Sequence, residues 1–201
     1  MNELPNRCGW VPLNKPTYLK YHDEEWGVPV HDDIKMFEFL VLESFQAGLS
    51  WEIILNKREN FRKDFAQFDY NKVALFDEEK VQELLLDKGI VRNQLKIRAA
   101  INNAQRYLEV IEEFGSFCNY FWNYTNGKPL SNKCKTLDEI PASTPLSDRI
   151  AKDLKKRGFK FLGTIVMYAH MQAVGMVNDH LVDCFRYTEV IPYSVSFARS
   201  K

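Results

Sequence analysis

A chain of 201 residues that is 45% apolar and 27% charged fits one soluble globular body and excludes disordered, collagen-like and membrane-embedded chains. Its 27 basic and 27 acidic side chains cancel, so any nucleic-acid footprint must be local. The segment 1–12 lacks an apolar core and carries Glu3 and Arg7, so no export signal is read and the cytoplasm is expected.

Taken in order, the elements are mostly helical. Asp32 or Asp33 caps a helix to about Phe45 whose residues Met36, Phe37, Leu40, Val41 and Phe45 make it apolar on most of its circumference, hence central. Gln46-Ala47-Gly48-Leu49-Ser50-Trp51 then reads as a turn. Glu78–Leu86 and Val91–Phe114 read as amphipathic helices, with Gly89 ending the first. The aromatic cluster of Ser116–Tyr124 reads as core packing. Asn126–Pro145, broken by Gly127, Pro129 and Pro141, is a long connection. Thr144-Pro145 opens a helix that ends at Gly158, and Thr164–Val174 forms another. The longest uncharged stretch, Phe161–Asn178, is interrupted by Thr164, His170, Gln172 and Asn178 and holds two glycines, so it reads as a buried helix, not a membrane span. The tail from Val190 to Lys201 has little periodicity, and no alternating run demands a sheet. The expected fold class is all-α.

Three features point to chemistry. Gly158-Phe159-Lys160-Phe161-Leu162-Gly163 is a short hairpin between two helices, with glycines placed to adopt left-handed angles and helix amides placed to bind phosphate. Residues 149–160 hold six basic side chains against Asp153, a local sum of +5. That charge fits either a DNA contact or a solvated helix end. His180 and Cys184 are four apart, a spacing that places two ligands on one helix face, and Cys8 and His22 form a second pair. Either a closed, structural zinc set or plain burial satisfies these four residues. Glu43 lies in the most apolar helix, where a carboxylate needs a partner or a pocket. Trp10, Tyr21, Trp26 and Trp51 crowd the first quarter of the chain, as core or as a stacking box for a planar ligand.

Several motifs in order carry a resemblance: Arg7-Cys8-Gly9-Trp10, Tyr21-His22-Asp23-Glu24-Glu25-Trp26-Gly27-Val28-Pro29, Gln46-Ala47-Gly48-Leu49-Ser50-Trp51, Lys57-Arg58-Glu59-Asn60, Lys155-Lys156-Arg157-Gly158-Phe159-Lys160-Phe161 and Val177-Asn178-Asp179-His180. Over about residues 7–187 the chain resembles the bacterial DNA-3-methyladenine glycosylase I family, helix-hairpin-helix enzymes of base excision repair. The resemblance implies one body over 1–190, with the helix-hairpin-helix around 147–175 and a variable tail at 191–201. It implies one structural zinc ion held by Cys8, His22, His180 and Cys184, leaving Cys118 and Cys134 as free thiols. It implies a base pocket of Trp10, Tyr21, Glu43 and Trp51, with Trp26 a further candidate, and Leu49 filling the gap left in the duplex where Gly48 permits close approach. Lys160, Gly163 and Thr164 are the expected hairpin contacts to DNA.

The implied reaction is hydrolysis of the N-glycosidic bond of a flipped 3-methyladenine in double-stranded alkylated DNA, releasing the free base without strand cleavage. Glu43 is the expected catalytic residue, acting in recognition with electrostatic assistance. The aspartate found after the hairpin in the wider superfamily is absent between Thr164 and Gly175. No membrane partner is expected, and a basic hairpin on a neutral chain suits a monomer. A DNA-binding protein that has lost turnover is the competing reading.

Overall fold

The computed structural model describes residues 5–191. Ten α-helices are found there: α1 Pro16–Glu24, α2 Asp33–Gln46, α3 Trp51–Asp64, α4 Tyr70–Val73, α5 Glu78–Leu86, α6 Gln94–Phe114, α7 Phe117–Asn123, α8 Pro145–Lys156, α9 Thr164–Ala173 and α10 Phe185–Val190. Two-residue strands, β1 Leu130–Ser131 and β2 Val177–Asn178, pair in parallel and pin the long connection to the chain after α9. One buried hydrophobic cluster includes residues from Cys8 to Cys184.

The expected central helix is α2. The Asp32 side chain accepts from Lys35 N at 2.7 Å, capping the helix start, and every residue from Met36 to Phe45 is buried. It packs on α3, α6, α7 and α9. At its first turn the Asp33 carboxylate accepts the opening amides of α7, Cys118 N at 2.8 Å and Phe117 N at 3.2 Å, a negative charge on a helix N-terminus. At its other end Lys96 Nζ of α6 donates to the carbonyls of Phe45 (2.8 Å) and Ala47 (2.6 Å), which fixes where the next turn begins.

Several boundaries depart from expectation. Helix α6 starts at Gln94, not Val91, because the Asn93 side chain accepts from Lys96 N and caps it. Gly89 does not end α5; the cap is Asp87, whose Oδ1 then receives the Gly89 amide in the turn that follows. Helices α1, α3 and α10 carry no clear signal in the sequence. Helix α1 is short, with Pro16 preset at its first position, while α3 is mostly polar and starts inside the apparent Gln46–Trp51 turn with Ser50 as cap. Beyond Ile191 the expected tail lies outside the described residues.

Buried charge ties the first three helices together. Arg58 of α3 donates to Glu38 of α2 at 2.9 Å and to Glu25, just past α1, at 2.8 and 2.9 Å, and Arg62 adds a bond to Glu38. Burial raises the Glu38 carboxyl, yet the bonds from Arg58 and then Arg62 hold it down at about 2. The network therefore fixes the elements that carry Tyr21, Glu43 and Trp51.

The chain crosses itself where Gly175 meets Val28. Gly175 has φ +69°, and a Cβ there would lie 2.3 Å from the Val28 carbonyl carbon. Both the dihedral and the space demand glycine. Gly175→Ala is expected to cost about 2–3 kcal/mol, read as a lowered urea midpoint; an unchanged midpoint would show that the crossing relaxes freely.

Candidate active site and metal centre

A cleft of about 240 Å³ opens between α1, α2, the start of α3 and α9. Trp10, Tyr21, Glu43 and Trp51 all line it, as does Trp26. The structure thus gathers in one cavity the residues that the sequence offered either as core or as a stacking box. The Tyr21 and Trp51 rings lie 5.3 Å apart at 53°, and Trp10 packs edge-on against Trp26 at 4.9 Å.

Among the described residues Glu43 is the one carboxylate on the cleft wall, and it is 4% exposed. No hydrogen-bond donor meets it among the described residues. Burial pushes its carboxyl up to about 8, so at neutral pH it carries its proton and can both donate and accept. Burial, then the nearby Glu43, also raises the Tyr21 hydroxyl well above its ordinary value, which keeps it neutral too. The cleft is therefore an aromatic slot with neutral polar groups, suited to a planar, hydrogen-bonding molecule.

Sequence reasoning missed Tyr18, Gln46, Ile140, Ala169 and Gln172, which complete the lining. Helical spacing held the signal for four of them. Tyr18 lies three before Tyr21, Gln46 three after Glu43, and Ala169 and Gln172 are three apart on α9. Ile140 comes from the irregular connection, where no periodicity points to it.

Behind the cleft, Cys8, His22, His180 and Cys184 are all buried, with one ligand atom from each lying within 4.8 Å of the others. This group could hold a metal ion. Cys184 Sγ is 3.5 Å from His22 Nε2 and 3.6 Å from His180 Nδ1, and Cys8 Sγ is 3.6 Å from the same Nδ1. Each histidine has its other nitrogen engaged: His22 Nδ1 lies 2.7 Å from Asp23, itself paired with Arg7, and His180 Nε2 lies 3.0 Å from the Trp26 carbonyl. A hydrogen bond with Cys8, then those with His180 and His22, pull the Cys184 thiol down toward the thiolate a metal needs, while the same bond and burial push the Cys8 thiol up, so the pair shares a proton that metal binding would displace. His180 and Cys184 do not share a helix, as their spacing suggests they would. They meet through a turn in which Cys184 N donates to Leu181 O at 2.8 Å, and Cys184 caps α10. Cys118 and Cys134 stand apart from the cluster as buried free thiols.

The hairpin runs from α8 to α9. Thr144 and Ser147 form a capping box at the start of α8, and Gly158 ends its last turn at φ +88°. Of the two glycines expected to be left-handed, only Gly158 is. Gly163 is extended (φ −69°) as the cap of α9, and the left-handed residue is Phe161 (φ +59°), which is 41% exposed. The buried Asn103 of α6 grips the turn from both sides: its amide nitrogen donates to Lys160 O at 2.9 Å and its oxygen accepts Lys160 N at 2.8 Å. Lys160 is exposed, no atom crowds Gly163, and the Thr164 hydroxyl lies 2.9 Å from that of Ser147. The sequence charge sum overstates what this face offers, because Arg157 is paired with Glu113 (2.6 Å) and Asp153 (3.1 Å). Lys152, Lys155 and Lys156 stay exposed. Gly48 adopts φ +81° in open space, and the adjacent Leu49 is 37% exposed at the mouth of the α2–α3 turn.

These features match known proteins. The methyladenine glycosylase family model matches residues 10–187. The chain is 51% identical to DNA-3-methyladenine glycosylase 1 of Escherichia coli K12, over 90% of this chain and 96% of that protein. A crystal structure of 3-methyladenine DNA glycosylase I superposes with a TM-score of 0.86 at 50% identity, covering 90% of this chain and 98% of that one. A structure addressing 3-methyladenine recognition by the Staphylococcus aureus enzyme superposes with a TM-score of 0.87 at 36% identity, covering 91% and 97%. The chain belongs to the methyladenine glycosylase family.

Proposed function

We propose that this protein excises 3-methyladenine from alkylated double-stranded DNA by hydrolysing the N-glycosidic bond, leaving an abasic site and the free base. The observation that carries the reading is the aromatic cleft with the buried Glu43 carboxyl on its wall, a group that burial pushes toward its neutral form. A flipped base brings two stacking faces and a polar edge, and the cleft offers the complement. Attached to DNA, N3-methylated adenine is cationic, and it departs as a neutral purine. A carboxylate beside it would favour the charged ground state over the transition state, so keeping Glu43 protonated removes that penalty while the hydrogen bonds remain.

The hairpin and the α9 amides beginning at Gly163 and Thr164 are proposed to hold a backbone phosphate, with Lys160 beside it and Leu49 entering the stack as the base leaves. The four-residue cluster is proposed to hold zinc. Two thiolates and two imidazoles in tetrahedral array place sulfur and nitrogen ligands ~3.6 Å apart, and the three close sulfur–nitrogen separations in the cluster are 3.5–3.6 Å. Such a set closes the coordination sphere, so zinc would contribute folding energy and not Lewis acidity. The body is proposed to act as a cytoplasmic monomer spanning residues 1–190; no helix among the described residues is long and apolar enough to cross a membrane.

Chromatography of bases released from methylated duplex DNA tests the reading. Release of 3-methyladenine with 7-methylguanine retained is expected. Binding to the lesion without release would leave a recognition protein in place of an enzyme.

A further inference from the structure

We infer that Gln172 is a specificity-determining residue of the cleft, a hydrogen-bond acceptor of fixed polarity that selects a 6-amino purine over a 6-oxo purine. The inference rests on the proposed glycosylase function. Asp179 is fully buried, and its carboxylate accepts three donors, each at 2.7 Å: Asn132 Nδ2 on one oxygen, Tyr168 Oη and Gln172 Nε2 on the other. A carboxylate only accepts, so the Gln172 amide must turn its NH2 toward Asp179. Its carbonyl oxygen is then the group left without a donor among the described residues, on a half-buried side chain that lines the cleft.

The other polar groups on the wall do not share this constraint. Protonated Glu43 and the hydroxyls of Tyr18 and Tyr21 can each donate or accept, so all three adapt to an amino or an oxo group. Gln46 has no side-chain partner among the described residues and can turn its amide over. The indole N–H groups can only donate. Gln172 alone is an acceptor whose orientation the protein sets. An exocyclic amine satisfies it, whereas an exocyclic oxygen faces it with a second acceptor and leaves both unpaired. Asp179, from the Val177-Asn178-Asp179-His180 motif, thereby acts on the cleft as a positioning residue, bridging it to the strand-paired connection through Asn132.

The test compares free 3-methyladenine with free 3-methylhypoxanthine, which differ at the 6-position, by quenching of tryptophan fluorescence, in wild type, Gln172→Met and Gln172→Asn. Wild type is expected to prefer the amino base by tenfold or more, and Gln172→Met, of similar size without a fixed acceptor, to bring that preference to within about threefold. Gln172→Asn keeps the chemistry but shortens the reach, so it is expected to fall between them. Base release from methylated DNA by the same proteins should show a matching loss of 3-methyladenine excision relative to 3-methylguanine. An unchanged preference in folded Gln172→Met overturns the inference with the function intact. Equal weakening of both bases makes Gln172 a packing residue and also overturns it. Wild type that binds or releases neither base would instead mark failure of the proposed function.

Discussion

Glu43→Gln is expected to slow release of 3-methyladenine by roughly 10- to 100-fold while making the protein more stable at neutral and alkaline pH. The two effects share one cause. Burial raises the Glu43 carboxyl from an ordinary 4.5 to about 8. Between those values the folded protein holds a proton that the unfolded chain has released, so stability falls as pH rises through this window and levels off above it. Each pH unit costs about 1.4 kcal/mol at most, and the full effect is a few kcal/mol. Glutamine cannot ionise, so the variant should lack this slope. Glu38, held down at about 2, works in the opposite sense, contributing stability above about pH 4.5 that is lost as pH falls. It is present in both proteins and drops out of the difference. Urea unfolding from pH 5 to 8.5 should show a stability gain for Glu43→Gln that grows with pH. A constant gain, or none, would mean that Glu43 is not held protonated. Excision at the wild-type rate would remove Glu43 from the chemistry altogether. A carboxyl retained at such a cost is the mark of a site kept for function at the expense of stability.

The fold was legible where one physical signal dominated. Helix α2 could be read because its apolar residues fill most of its circumference, and α8 because Thr144-Pro145 and Gly158 punctuate it at both ends. Helix α3 was hidden because its sequence is mostly polar; it is held by Arg58 bonding to Glu25 and Glu38, contacts across 33 and 20 residues that no local window contains. The site was legible by residue type and not by arrangement. Cys8 and His180 are 172 residues apart, and spacing alone assigned His180 and Cys184 to a helix face where a turn exists. Exchange of the left-handed position between Gly163 and Phe161 was beyond any propensity argument, since a bulky residue at positive φ is held there by its surroundings. Asn103, gripping Lys160 from α6, is one such constraint.

Cys184→Ser, or removal of the proposed zinc by a chelator, is expected to cost more stability than Gly175→Ala or any single substitution in the cleft, and to reduce excision only as far as the fold is lost. A structural zinc site binds with on the order of 10 kcal/mol, all of it coupled to folding. In this chain the site joins Cys8 and His22 to His180 and Cys184, adding to backbone and side-chain contacts between the same two ends such as Asn6 with Asp183 and Phe185 and Gly27 with Gln172. A fall in melting temperature of more than ~10 °C is expected, given about 2–4 °C per kcal/mol for a chain of this size. The damage should then reach the cleft by one physical route. Trp10 packs at 5.3 Å on His22, Trp26 at 4.6 Å on His180, and both indoles form the cleft wall, so ligand rings freed to move release the stacking surface with them. Free-base affinity should decline in step with near-ultraviolet circular dichroism as metal is withdrawn, and return on adding zinc. A metal-free protein with unchanged aromatic dichroism but no excision would place the ion in the reaction. Full thermal stability without metal would show that the four side chains serve only as packing.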